Sequence, residues 1–178
     1  MIKFFKLIIT IILLYASTSF VTAAEYGNWS LRYYVDEFGD DTDSKYIMVD
    51  TEGLFSNSAT TNSRLYVQML ISADEPLATY FKLYEYGSSP VMSYDSYGDP
   101  YRCSMKNSEN EKYKFTALLG GAFSQTTLGT RNEEKLIEWI SLEEKIKFVC
   151  IEDGVVSSKY NFELNFEGYG DAMQALLQ

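Results

Sequence analysis

The sequence predicts a mainly β protein: an antiparallel β-sandwich of about eight strands with two short helices. Three observations lead there. Apolar and polar residues alternate with period two in segment after segment, only two stretches carry helical spacing, and the strand-like segments follow one another across turns without the strand–helix–strand rhythm of a parallel sheet.

Taken in chain order, residues 1–23 have the layout of a secretory signal. Lys3 and Lys6 precede an apolar run from Leu7 to Tyr15, and small residues lead to Val21-Thr22-Ala23-Ala24. The run is too short to span a bilayer, and no second long apolar run follows, so the mature chain, residues 24–178, is expected as one exported, non-membrane-spanning domain. The leader carries two lysines and no acids, so 15 basic and 25 acidic residues become 13 and 25, a net charge of −12. The basic residues read as scattered among more numerous acids. That argues against nucleic acid as a partner, and the same field is expected to repel an anionic membrane.

Strands are expected at 29–35 and 45–49. Between them, "YYVDEFGDDTDSKYIM" holds five acids. The EF-hand register fails from Asp36, where position 6 is Asp41, and from Asp41, where position 6 is Tyr46. A looser calcium cage could use Asp36, Asp40, Asp41 and Asp43, while Gly39, Asp40, Asp41 and Ser44 are turn formers and favour a simple bend. Leu65, Val67, Met69 and Ile71 alternate in the next strand, and Phe81 with Leu83 in the one after, with Tyr80, Tyr84 and Tyr86 on the opposite face. Residues 87–100 read as a long loop. Weaker strands cover 101–105 and 112–118. Thr130 to Glu133 has capping-box spacing before Leu136, Ile137 and Ile140, predicting a helix over 131–141. Ile146, Phe148 and Cys150 alternate again, and Asp153-Gly154 turns the chain into the clearest strand, 160–167, where Tyr160, Phe162, Leu164 and Phe166 share one face. A short tail helix is expected with Asp171 as its cap.

The chain has no histidine. Ser-His-Asp and Cys-His catalysis and the usual zinc sites are therefore excluded. No phosphate-cradling loop is present, no cofactor is implied and no catalytic residue stands out. Two carboxylates suffice for glycoside hydrolysis, which keeps a carboxylate-based glycoside hydrolase or carbohydrate-binding domain as an alternative to a non-enzymatic binding module. Cys103 and Cys150 meet an oxidising compartment after export, and their even count predicts one disulfide. Tyr80, Tyr84, Tyr86, Tyr94 and Tyr97 crowd one segment, and tyrosine offers rigid apolar area with a polar tip, so these five are the candidate surface for a protein or cell-envelope partner.

The strings YYVDEFGDDTDSKYI, GLFSNSATTNSRL, FKLYEYGSS and IKFVCIEDGVVSSKYNFELNFEGYGDA resemble a family of small exported bacterial proteins of unknown function, with YVDEFGD at 34–40 and FSNSATT at 55–61 as its distinctive runs. The closing pattern is more remotely similar to invasion-associated locus B proteins and to type VI secretion accessory proteins. The resemblance implies a periplasmic or secreted β-sandwich with no assigned reaction or ligand. It also implies a proline after FGD; Asp41 stands there in this chain, which agrees with a turn rather than a rigid metal cage. A calcium-stabilised structural envelope protein is the remaining alternative.

Overall fold

The computed structural model describes residues 23–73, 78–121, 124–130, 134–142, 145–154 and 157–178. Residues 1–22 of the proposed leader and residues 131–133 of the capping box lie outside them. Strands β1 (Ala24–Tyr26), β2 (Trp29–Val35), β3 (Asp41–Ser56), β4 (Ser63–Ser72), β5 (Ala78–Glu85), β6 (Ser89–Pro90), β7 (Asp99–Lys106), β8 (Lys112–Leu119) and β9 (Leu128–Thr130) precede helix α1 (Glu134–Leu142). Strands β10 (Lys145–Glu152) and β11 (Lys159–Asn165) and helix α2 (Tyr169–Leu176) complete the chain.

These strands do not form two stacked sheets. The pairing runs β3-β11-β10-β7-β8-β9-β5-β4 and returns from β4 to β3, every pair antiparallel, so eight strands close into a barrel. The expected sandwich is thus corrected to a closed barrel with β1, β2 and β6 as additions. Two elements make the difference. β9, three residues long, bridges β8 and β5. β3, sixteen residues long, pairs with β4 from Tyr46 to Phe55, while its other edge serves β2 through Val49 and then β11 from Gly53. At that change of partner the chains approach closely: a Cβ on Gly53 would stand 2.8 Å from Phe162 Cβ and would overlap the Asn161 carbonyl oxygen. Thr51 Oγ1 donates to the Glu163 carbonyl at 2.8 Å and fastens the same seam. Closure leaves the ring without a free edge.

Inward positions fill the barrel, as expected for eight strands. Phe81, Phe148 and Phe162 meet at its centre, with ring centroids 5.1–5.8 Å apart. Cys103 and Cys150 stand directly opposite each other on β7 and β10 and form the predicted disulfide. Outside the ring, Trp29 packs 5.9 Å from Phe166 and 5.4 Å from Tyr169, joining β2 to α2. The tail helix starts at Tyr169, with left-handed Gly168 as its N-cap, so Asp171 belongs to the first turn rather than capping it.

The barrel's two ends differ. α1 buries Leu136, Trp139 and Ile140 and sets Trp139 6.5 Å from Tyr113, near the start of β8. The opposite end gathers the β3–β4, β5–β7, β8–β9 and β10–β11 connections, and it is open.

Candidate functional site: the barrel mouth

The inward columns of the strands change chemistry as they reach the open end. On β5 the column reads Thr79, Phe81, Leu83, Glu85; on β7, from the interior outward, Met105, Cys103, Tyr101, Asp99; on β10, Ile146, Phe148, Cys150, Glu152. Each strand therefore places a carboxylate at the rim, one step beyond its last buried side chain. β11 contributes Tyr160, and the neighbouring loops contribute Asn57, Ser158 and Tyr94. Together they line a cavity of about 370 Å³.

Its floor is aromatic. Tyr101 and Tyr160 are 2 % and 1 % exposed, with centroids 6.0 Å apart, and Phe55 stacks 6.4 Å from Tyr160. The Tyr160 hydroxyl donates to Glu85 Oε1 at 3.0 Å across the barrel, and the Ser158 N–H donates to Glu152 Oε2 at 3.0 Å. These bonds hold the two carboxylates in place while each keeps a second oxygen. Burial pushes both phenols above the ordinary tyrosine value. For Tyr101 the neighbouring Tyr160 and Glu152 add to the rise; for Tyr160 the Glu85 charge adds to it and a hydrogen bond with Ser158 opposes it. The floor is therefore neutral and the rim negative.

The tyrosine-rich segment is anchored beside this opening. Val91 N–H donates to the Leu83 carbonyl at 2.9 Å, and Ser93, 1 % exposed, donates its N–H to the Gln125 carbonyl at 2.9 Å. The five candidate tyrosines separate. Tyr94 lines the mouth and is 80 % exposed, while Tyr97, nearby in sequence, is 86 % exposed. Tyr86 is 58 % exposed and meets Phe55 edge-on at 5.0 Å. Tyr80 and Tyr84 are half-buried on the outer wall of β5, where the Tyr84 ring lies 5.7 Å from Tyr66 and its hydroxyl donates to Gln68 Oε1 at 3.2 Å.

The acids of the β2–β3 bend and of the first residues of β3 are exposed. Asp36 Oδ1 accepts the N–H groups of Phe38 at 2.8 Å and Asp40 at 2.9 Å, and Gly39 takes a positive φ. Asp36 thus organises a bend over residues 36–40; the expected turn through Ser44 is shorter, because Asp41 and Asp43 already belong to β3, where they are solvated. Among the described residues no group of three or more His, Cys, Asp or Glu side chains is arranged to hold a metal ion.

Sequence reasoning missed Glu85, Asp99 and Glu152. A local signal for them exists: each extends an apolar or aromatic alternation by one inward position, Glu85 and Glu152 at its end and Asp99 at its start. What brings the three columns to one rim is register, which only the paired strands reveal.

No protein-family model matches the chain, YVDEFGD and FSNSATT strings included, and no curated protein matches it. Among solved structures it is similar to invasion associated protein B from Bartonella henselae, with 11 % identity, 88 % of this chain and 96 % of that chain covered, and a TM-score of 0.48. The similarity is remote.

Proposed function

We propose that the protein is an exported, non-catalytic binding module whose ligand site is the barrel mouth. The group it takes is an organic cation, such as a lysine or arginine side chain of a protein or envelope component. One observation carries the reading: three inward carboxylates, Glu85, Asp99 and Glu152, ring a cavity of about 370 Å³ floored by tyrosine rings. Negative oxygens at the rim neutralise a cation, and ring faces below attract it further through their quadrupole. Mouths of barrels are common ligand sites.

Melting the mature chain, residues 24–178, with a hexa-arginine peptide, and with its uncharged citrulline counterpart, tests this. At about a hundred times Kd the arginine peptide raises stability by about 2.7 kcal/mol, a midpoint shift of about 5–10 °C, and the citrulline peptide does not. Glu85→Gln, Asp99→Asn and Glu152→Gln together remove the shift; they keep side-chain size and an acceptor oxygen, so the fold survives. The reading is wrong if both peptides act alike, if Asp40→Asn, Asp41→Asn and Asp43→Asn abolish the shift instead, or if the protein cleaves a glycan.

A further inference from the structure

The register of the barrel collects charge that looks dispersed along the chain. The outward positions of β7 are Pro100, Arg102, Ser104 and Lys106; of β8, Lys112, Lys114, Thr116 and Leu118; of β10, Lys145, Lys147, Val149 and Ile151. These three adjacent strands carry six cations and no carboxylate on their outer face, in a chain whose acids outnumber its bases 25 to 15. Lys147 stands opposite Lys106, and Lys106 opposite Lys112, so three lysines form one rank across the wall. Like charges opposite one another destabilise a sheet, and this arrangement has no folding rationale. Arg102, Lys112, Lys114, Lys145 and Lys147 are exposed. Among the described residues two wall cations have carboxylate partners: Lys147 meets Glu163 at 3.5 Å and Arg102 meets Asp153 at 3.5 Å. Lys106 donates to Asn110 at 3.3 Å, and Glu109 and Glu111 lie in the β7–β8 turn beyond the end of the wall. Lys112, Lys114 and Lys145 form no ion pair among the described residues. Between the ranks, a depression of about 360 Å³ lined by Arg102, Ser104, Lys114 and Thr116 brings two cations and two hydroxyls together, which is donor chemistry for phosphate oxygens.

We propose that this wall docks on a bilayer surface bearing anionic phosphate headgroups. The negative net charge does not prevent it. Eight strands about 4.8 Å apart, tilted by about 40°, make a ring about 16 Å across. The screening length at physiological salt is only about 8 Å. The acidic bend grows from β3, which lies across the ring from β8, and the rim carboxylates Asp99 and Glu152 stand in the inward columns of β7 and β10, so at contact distance the bilayer responds to the wall and not to the net charge. The expected repulsion from an anionic membrane is thereby reversed for this one face. The cations spread in two dimensions over three strands, and most are lysines, point charges without the forked geometry that grips a single phosphate. A planar array of headgroups matches that layout better than a linear polyanion, which would need a groove to track it.

Co-sedimentation of the mature chain, residues 24–178, tests the docking. One set of vesicles mixes phosphatidylglycerol with phosphatidylcholine, and the other is phosphatidylcholine alone. Binding to the first set only is expected, weakening as salt rises. Lys112→Gln, Lys114→Gln and Lys147→Gln together reduce partitioning about a hundredfold, at roughly fivefold for each lysine. The control triple Arg32→Gln, Lys45→Gln and Lys82→Gln binds as the parent does, and circular dichroism of both triples confirms the fold. Equal losses in the two triples, binding to uncharged vesicles, or binding to soluble polyphosphate without binding to vesicles would overturn the proposal.

Discussion

Replacing Cys103 and Cys150 by alanine should cost about 4 kcal/mol of unfolding free energy. The bridge closes a segment with a sequence separation of 47 residues. The chain-entropy relation for a loop of that length gives an unfolded-state loss of about 14 cal/mol/K, or about 4 kcal/mol at 25 °C. The folded barrel gives little of this back when the bond is absent. β7 and β10 remain paired from Lys147↔Lys106 to Glu152↔Tyr101, so the two positions stay opposite each other without a covalent link. The effect therefore resides in the unfolded chain. Both sulfurs are buried, and packing loss must be separated from chain entropy; Cys103→Val with Cys150→Ala restores part of the volume and should recover only a fraction of the stability. Equilibrium unfolding in urea, followed by the fluorescence of Trp29 and Trp139, reads the difference. With a slope of about 2 kcal/mol/M the midpoint should fall by about 2 M. A loss below about 1 kcal/mol, or full recovery in the valine variant, would refute the reasoning, because a 4 kcal/mol term is a large part of the roughly 5–15 kcal/mol that holds a domain folded.

Gly53→Ala should destabilise the barrel by about 1–3 kcal/mol, since the added Cβ meets the β11 backbone at the closing seam; a change within about 0.5 kcal/mol in the same urea assay would show that the seam can yield. Alkali should unfold the protein in a defined window. An unfolded tyrosine ionises near 10.0, whereas burial raises Tyr101 and Tyr160, and raises Tyr66 to about 12. Between about pH 10 and 12 the unfolded chain therefore sheds protons that the folded one retains, so stability is complete below pH 10 and falls as pH rises through that window. Phenolate absorbance should show buried tyrosines titrating together with the loss of circular dichroism; their ionisation in a fully folded protein would contradict the burial argument. A calcium chelator should leave the melting midpoint unchanged, because the best-placed oxygen of the acidic bend, Asp36 Oδ1, already accepts two backbone N–H groups; a clear drop would restore calcium as a structural ligand.

Strand identity was legible because period-two alternation is a local property. It is pronounced in Tyr160 to Phe166 and Leu65 to Ile71, where the residues the alternation marks are buried in the structure and Leu70 is buried in addition. Barrel closure was not legible. A sandwich and a barrel both bury one face of every strand, so the alternation is the same for both, and the deciding strand, β9, is too short to display any period. The full length of β3 was hidden as well: Asp41 to Ser44 are turn formers by type, and Gly53 interrupts the pattern where the strand changes partner. For the candidate site, the concentration of tyrosine beside the mouth could be read directly, but only Tyr94 of the five lines the cavity. The rim acids and the basic wall both depend on which strands are neighbours. Arg102, Lys106, Lys112, Lys114, Lys145 and Lys147 lie in three separate stretches, and cross-strand register alone makes them one surface.

The barrel mouth is where the bound cation should sit. Intermolecular nuclear Overhauser contacts, measured between the arginine side chains of the hexa-arginine peptide and the protein's aromatic protons, locate the bound cation directly. Contacts to the rings of Tyr94, Tyr101 and Tyr160 are the predicted result; contacts confined to Tyr33, Tyr34 and Phe38, beside the acidic bend, would contradict it.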